Sequence, residues 1–274
     1  MMRASLATLA LIGGAAPAAA PDRIGTYVAL GSSYAAGVGL GRVLDGSPEI
    51  CARTSNGYPQ QLARDLRLTL VDASCGGATV EQIVTTGQGS LAPQILAVGK
   101  DAKLVTITAG GNDVGYVGDM MRAASAHDGA SVRSADKRPF DVLRTRLQGM
   151  FAKIRQRTPQ ARIVIVTYPT VLPQRGTCDA LGLTAAQVAT FRKVAARLAA
   201  VTREAARQAR AEVVDMATAS LRHDVCSADR WTNGTAPVTG APFHPNLAGA
   251  TATARAVEAL LGGGATPPRR SRSA

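Results

Sequence analysis

A chain of 274 residues, 46% of them apolar, is long enough to bury a full core, and one α/β domain is the expectation. Aromatic residues make up only 4%, so Ala, Val, Leu and Ile must fill most of that core. The formal charge of +12 is spread over helix faces, and no basic run is interleaved with aromatics; this argues against a nucleic-acid partner and for a solvated cationic surface.

The N-terminus reads as an export signal over residues 1–18. Arg3 precedes an apolar stretch, and Ala16-Pro17-Ala18 forms a small-residue cleavage site. That stretch is too short and too rich in glycine for a transmembrane helix, so the mature chain is expected to be secreted or periplasmic and without an integral membrane segment. Residues 22–262 then form the folded domain. Residues 263–274, with Arg269, Arg270 and Arg272 after Pro267-Pro268, read as a disordered basic tail. Cys51, Cys75, Cys178 and Cys226 include no C-x-x-C pair, which argues against zinc or a redox motif. In an exported protein they read as two disulfides. Of the three pairings, Cys51–Cys75 and Cys178–Cys226 is favoured, because each bond then closes a loop-rich segment.

In chain order, residues 27–31 predict a short buried strand that breaks at Gly31 into a turn carrying Ser32 and Ser33. Residues 57–66 predict a helix. A second strand at 68–72 ends in Ser74-Cys75-Gly76-Gly77-Ala78-Thr79, and short helical turns fill 82–98. The strand at 103–108 shows little alternation, as expected of one buried on both faces, and runs into Gly110-Gly111-Asn112-Asp113. Residues 117–134 read as surface material, partly helical. An amphipathic helix at 140–157 carries Phe140, Leu143, Leu147, Phe151 and Ile154 on one face. A strand at 162–167, a helix at 185–211, a strand at 212–216 and a helix at 246–261 complete the pattern. Strands alternating with helices predict a parallel sheet covered on both faces.

A serine just after the first strand stands where open α/β sheets bind ligands. It becomes a nucleophile only with a base to take its proton and donors for the oxyanion that forms. His127 and His223 lie in polar surroundings and read as surface residues, whereas His244 stands where an irregular loop meets the last helix, with Pro245 beside it. Gly77 offers a backbone N–H, and Asn112 a side-chain amide, at the ends of two other strands.

These blocks, in this order, resemble those of the SGNH hydrolase superfamily, the GDSL esterases and lipases, and most of all its secreted actinobacterial-type members. Gly31-Ser32-Ser33-Tyr34-Ala35-Ala36-Gly37 is similar to the G-D-S-x-x-x-G block, Ser74 to Thr79 to the glycine block, Gly110 to Asp113 to the G-x-N-D block, and His244-Pro245-Asn246 to the histidine block. The resemblance implies a three-layer α/β/α sandwich with a flavodoxin-like parallel sheet, no cofactor and no metal, a monomer, and a small-molecule or lipid ester as substrate. It makes Ser33 the nucleophile and His244 the general base. Ser33 N–H, Gly77 N–H and the Asn112 side chain become the oxyanion hole. Ser32 replaces the family's aspartate before the nucleophile, and Ala241 stands where an aspartate usually orients the histidine. The expectation is therefore a dyad in which the Ala241 backbone carbonyl receives the imidazole N–H, with Asp229 or Asp224 as alternative acids. Two rival readings are a catalytically weak carbohydrate- or lipid-binding relative and a nucleotide-binding protein. The second is poorly supported, since Gly37-Val38-Gly39-Leu40-Gly41 does not complete G-x-G-x-x-G. Loops 37–54, 116–138, 171–182 and 217–242 should wall the site, with Trp231 and Phe243 either against an acyl chain or in loop packing.

Overall fold

The computed structural model describes residues 25–126 and 129–262; the expected export signal, the basic tail and His127 lie outside them. Five strands form one parallel sheet: β1 (Thr26–Gly31), β2 (Thr69–Asp72), β3 (Ala102–Thr108), β4 (Arg162–Val166) and β5 (Glu212–Val214), in the order β2-β1-β3-β4-β5. The inner strands β1, β3 and β4 are apolar because both their faces are buried, whereas the edge strand β2 is exposed or half-buried along its length. Successive side chains point to opposite faces, so each inner strand feeds two cores. Val28, Leu30, Val105, Ile107, Ile163 and Ile165 enter one, while Tyr27, Ala29, Leu104, Val164 and Val166 enter the other.

The helices complete the two outer layers. These are α1 (Ser33–Ala36), α2 (Tyr58–Asp65), α3 (Tyr116–Ala126), α4 (Phe140–Arg157), α5 (Ala185–Gln208), α6 (Met216–Ala219) and α7 (Leu247–Gly262). Helices α3, α4 and α5 pack together over the larger core, and α2 packs on α7 over the smaller one. All five predicted apolar positions of α4 are buried, joined by Met150. A reciprocal cap between Thr184 and Gln187 opens α5 by satisfying two of its free amide groups. Among the described residues, no helix is long and apolar enough to cross a membrane.

Two stretches differ from the sequence expectation. The segment read as surface material contains α3, which buries Tyr116, Val117, Met120 and Ala124. The last strand stops at Val214, because Asp215 leaves the sheet to bind the Thr167 hydroxyl and the Arg203 guanidinium, and Met216 begins α6.

The order of the strands fixes where a ligand can bind. From β1 the chain moves to β2 on one side and then to β3 on the other, so the carboxyl ends of β1 and β3 border the crevice where the winding reverses. Disulfides Cys51–Cys75 and Cys178–Cys226 pin loops at that same edge, in the favoured pairing. The second joins positions 48 residues apart, so replacing Cys178 and Cys226 by Ala should cost roughly 4 kcal/mol and lower Tm by roughly 8–16 °C in a thermal melt.

Candidate active site

Gly31 ends β1 with φ +139°, and a Cβ there would lie 2.4 Å from the Thr108 carbonyl oxygen. Only glycine therefore lets the end of β1 lie this close to β3. The Gln94 side-chain amide grips the same residue, accepting from its N–H (2.8 Å) and donating to its carbonyl (3.0 Å). Ser32 N–H then donates to Thr108 O (2.9 Å), and Ser33 opens the single turn α1.

Ser33 Oγ lies 2.7 Å from His244 Nε2, across 211 residues of sequence. The other ring nitrogen, Nδ1, lies 2.7 Å from the Pro242 carbonyl oxygen. A carbonyl can only accept, so Nδ1 carries the proton, Nε2 is the acceptor, and the Ser33 hydroxyl donates to it. The carbonyl against the imidazole is thus that of Pro242 and not, as expected, that of Ala241. Ala241 O is turned away to accept the His244 main-chain N–H (3.3 Å) and the Asn233 side-chain amide (3.3 Å). Neither alternative acid reaches the ring: Asp229 pairs with His223, and Asp224 accepts from Cys226 N–H. His244 is 8% exposed, and burial holds its pKa below the ordinary 6.5, partly offset by the Pro242 carbonyl.

The expected oxyanion donors stand at the ends of neighbouring strands. Ser33 N–H and Gly77 N–H donate to no acceptor among the described residues. Gly77, with φ +76°, sits in a loop fixed by Cys75 N–H to Gly31 O (3.0 Å), Gly76 N–H to Cys51 O (3.0 Å) and Gln88 Nε2 to Gly76 O (2.6 Å). Asn112 Nδ2 donates to Ala78 O (3.0 Å), which uses one of its two hydrogens. The adjacent Asp113 carboxylate accepts from Val80 N–H (3.0 Å), so two successive side chains tie the third strand's loop to the second's. Burial raises the pKa of Asp113, opposed by that N–H and by Arg146.

Two tyrosines that the sequence analysis did not single out as site residues complete the assembly. Tyr168, just after β4, bonds through its hydroxyl to Ser32 Oγ (3.0 Å) and accepts from Gly111 N–H (3.2 Å). Burial pushes its pKa up to about 12, so it is a neutral phenol. Ser32 is fully buried, and the family's carboxylate in its place would face the Thr108 carbonyl; a neutral hydroxyl suits that position. Tyr34 places its ring between Tyr168 and His244, at centroid distances of 4.5 and 4.8 Å. Its hydroxyl donates to the Phe243 carbonyl. Nothing in one-dimensional spacing marks either residue, since both act across the fold.

The two aromatics named as possible acyl contacts serve packing. Phe243 is fully buried, and Trp231 stacks on His223 at 3.8 Å. Tyr168 also lines a cavity of about 520 Å³ together with Tyr116, Val171, Leu172, Leu221 and the cationic Arg192, Lys193 and Arg203. Among the described residues, no group of three or more His, Cys, Asp or Glu is placed to hold a metal ion.

Comparison with known proteins gives the family. Residues 29–252 match the GDSL-like lipase/acylhydrolase family. The chain is 32% identical to Lipase 2 of Streptomyces coelicolor, with 90% of this chain and 89% of that protein covered. Its structure resembles the extracellular lipase of Streptomyces rimosus (TM-score 0.72, 26% identity, 85% of this chain and 98% of that one). It also resembles phospholipase A1 of Streptomyces albidoflavus NA297 (TM-score 0.69, 26% identity, 86% and 98% covered). Family and relatives define a carboxylic ester hydrolase. The chain belongs to the GDSL-like lipase/acylhydrolase family, within the SGNH hydrolases and of the actinobacterial type.

The environment of His244 fixes the direction of the pH dependence. Neutral imidazole is the form that accepts a proton, and its pKa lies below 6.5, so kcat/KM should still be above half-maximal at pH 6.5 and fall to half only at lower pH. A pH–rate profile on a soluble ester checks this; a half-point above 6.5 would contradict it.

Proposed function

We propose that the protein is an exported hydrolase of carboxylic esters with an apolar acyl chain, working through a Ser33–His244 dyad. The observation that carries this reading is the 2.7 Å approach of Ser33 Oγ to His244 Nε2, with the tautomer fixed by the Pro242 carbonyl. As Ser33 Oγ attacks the ester carbonyl, its proton passes to Nε2. The oxyanion forms against Ser33 N–H, Gly77 N–H and the second amide hydrogen of Asn112. The imidazolium then gives its proton to the departing alkoxide, leaving an acyl-serine. Water then gives a proton to the same imidazole as its oxygen bonds the acyl carbon; the bond to Ser33 Oγ breaks, the imidazolium returns its proton to Ser33, and the acid leaves.

The Pro242 carbonyl supplies the orientation that an aspartate gives in a full triad, through a dipole in place of a charge. The lipase names of its relatives support an acyl chain as the substrate's apolar part; the cavity that Tyr168 shares offers Val171, Leu172 and Leu221 beside the cationic Arg192, Lys193 and Arg203. Export is supported by the signal-like N-terminus and by two disulfides, which persist in oxidising compartments.

Hydrolysis of p-nitrophenyl esters from acetyl to palmitoyl tests the proposal. Ser33→Ala and His244→Ala should each lose about 10³-fold or more in kcat, and Asn112→Ala about 10²–10³-fold with little change in KM. The rate should peak at a medium or long acyl chain. Full activity in Ser33→Ala would sink the site assignment, and a sharp acetyl optimum would sink the acyl-chain assignment.

A further inference from the structure

We infer that Tyr34 is a positioning residue for the base: its hydroxyl clamps the Phe243 main-chain carbonyl and so holds His244 in line with Ser33. The inference rests on the dyad proposed above.

The serine and histidine segments come from opposite ends of the domain. Among the described residues, two hydrogen bonds join residues 32–36 to residues 242–246. One is the dyad contact itself, and the other runs from Tyr34 Oη to Phe243 O. The remaining main-chain bonds of the histidine turn run into its own loop. Phe243 N–H donates to Gly234 O (3.2 Å), His244 N–H to Ala241 O (3.3 Å), and Asn233 N–H to His244 O (2.8 Å). That loop is tied to the segments after β4, by Thr235 N–H to Ala180 O (2.9 Å), Val225 N–H to Val171 O (3.0 Å) and the Cys178–Cys226 disulfide, and Tyr34 supplies the tie to the serine turn.

The turn also needs holding. Phe243 has φ +58°, a left-handed conformation that a bulky L-residue adopts only when its surroundings impose it. Its ring is fully buried, and both its amide N–H and its carbonyl are bonded, the carbonyl by Tyr34. The Pro242 carbonyl that orients the imidazole and His244 itself flank this residue, so a relaxed Phe243 peptide would displace both. Tyr34 is also placed to feel any such movement, because its ring packs against the His244 imidazole and Tyr168. It immediately follows Ser33 in α1. One side chain therefore ties the nucleophile's own turn to the base.

The test is Tyr34→Phe, which removes one oxygen and keeps the ring. Turnover is counted per site titrated by the acyl-enzyme burst. Tyr58→Phe serves as the control, since that buried hydroxyl bonds Thr106 and Thr108 and does not touch the histidine turn. Tyr34→Phe should lower kcat by about 10–100-fold with KM within about threefold of wild type, because a small misalignment of reacting groups acts on the chemical step. The His244 Nδ1–H proton resonance should broaden or move upfield as its bond to Pro242 loosens, and Tyr58→Phe should change neither reading. A Tyr34→Phe enzyme with wild-type kcat, or one matched in its loss by Tyr58→Phe, would overturn the inference. So would a Tyr34→Phe protein that fails to fold beside a folded Tyr58→Phe, which would assign the bond to the fold. Ser33→Ala run in the same series separates the two claims: if it stays active the dyad itself is wrong, and if it is dead while Tyr34→Phe is normal only the clamp is wrong.

Discussion

The structure depends on one contact made across nearly the whole domain, from the hydroxyl at the end of β1 to the imidazole before α7. A hydrogen bond of this kind tolerates errors of only a few tenths of an ångström. The sheet supplies the first half of that accuracy. Gly31 lets β1 lie close against β3, Gln94 grips it on both sides, and Ser33 is delivered at the strand end with little freedom. The second half comes from a strained turn at Phe243 held by a buried core ring and its neighbours. Neither half is a loop left to itself.

The surroundings of that contact are uncharged. Ser32 takes the place of a carboxylate and bonds a neutral tyrosine, and a peptide carbonyl takes the place of the acid behind the imidazole. Burial holds the imidazole neutral in the resting state. These departures fit one another: Ser32 Oγ faces the Thr108 carbonyl oxygen, and a hydroxyl has a proton to offer it where an ionised carboxylate has none. The carboxylate that does remain, Asp113, stands one layer away and ties Val80 N–H so that the loops after β2 and β3 keep their spacing. Tyr168 does the same for the loops after β1 and β3, through Ser32 and Gly111.

Much of this was legible in one dimension. The five strands are short apolar runs bounded by turn residues, and α4 and α5 carry helical stripes that no other period explains. The serine, glycine, asparagine and histidine blocks each follow a strand or open a helix, so the strand pattern already assigns them to one edge of the sheet. The disulfide pairing followed from which loops each bond would close. Residues 117–134 read as partly helical surface material; the helical part is α3, and the burial of Tyr116, Val117, Met120 and Ala124 is the part the reading lacks, because α3 packs on α5, far along the chain. The carbonyl behind His244 was placed one residue early, at Ala241. Which of two adjacent carbonyls faces a ring depends on the local dihedrals, here the positive φ of Phe243, and residue type alone does not encode it. Tyr34 lies within the serine block and Tyr168 just after β4, outside every block, and their partners come from 209 and 136 residues away.

The central claim is that Ser33 is the nucleophile and His244 the group that activates it. The most direct test is to treat the folded protein with a fluorophosphonate and map the adduct by mass spectrometry. The account predicts a single phosphonylated residue, Ser33, formed rapidly in the wild type and orders of magnitude more slowly in His244→Ala. Labelling of another serine, or of Ser33 at an unchanged rate without His244, would contradict it.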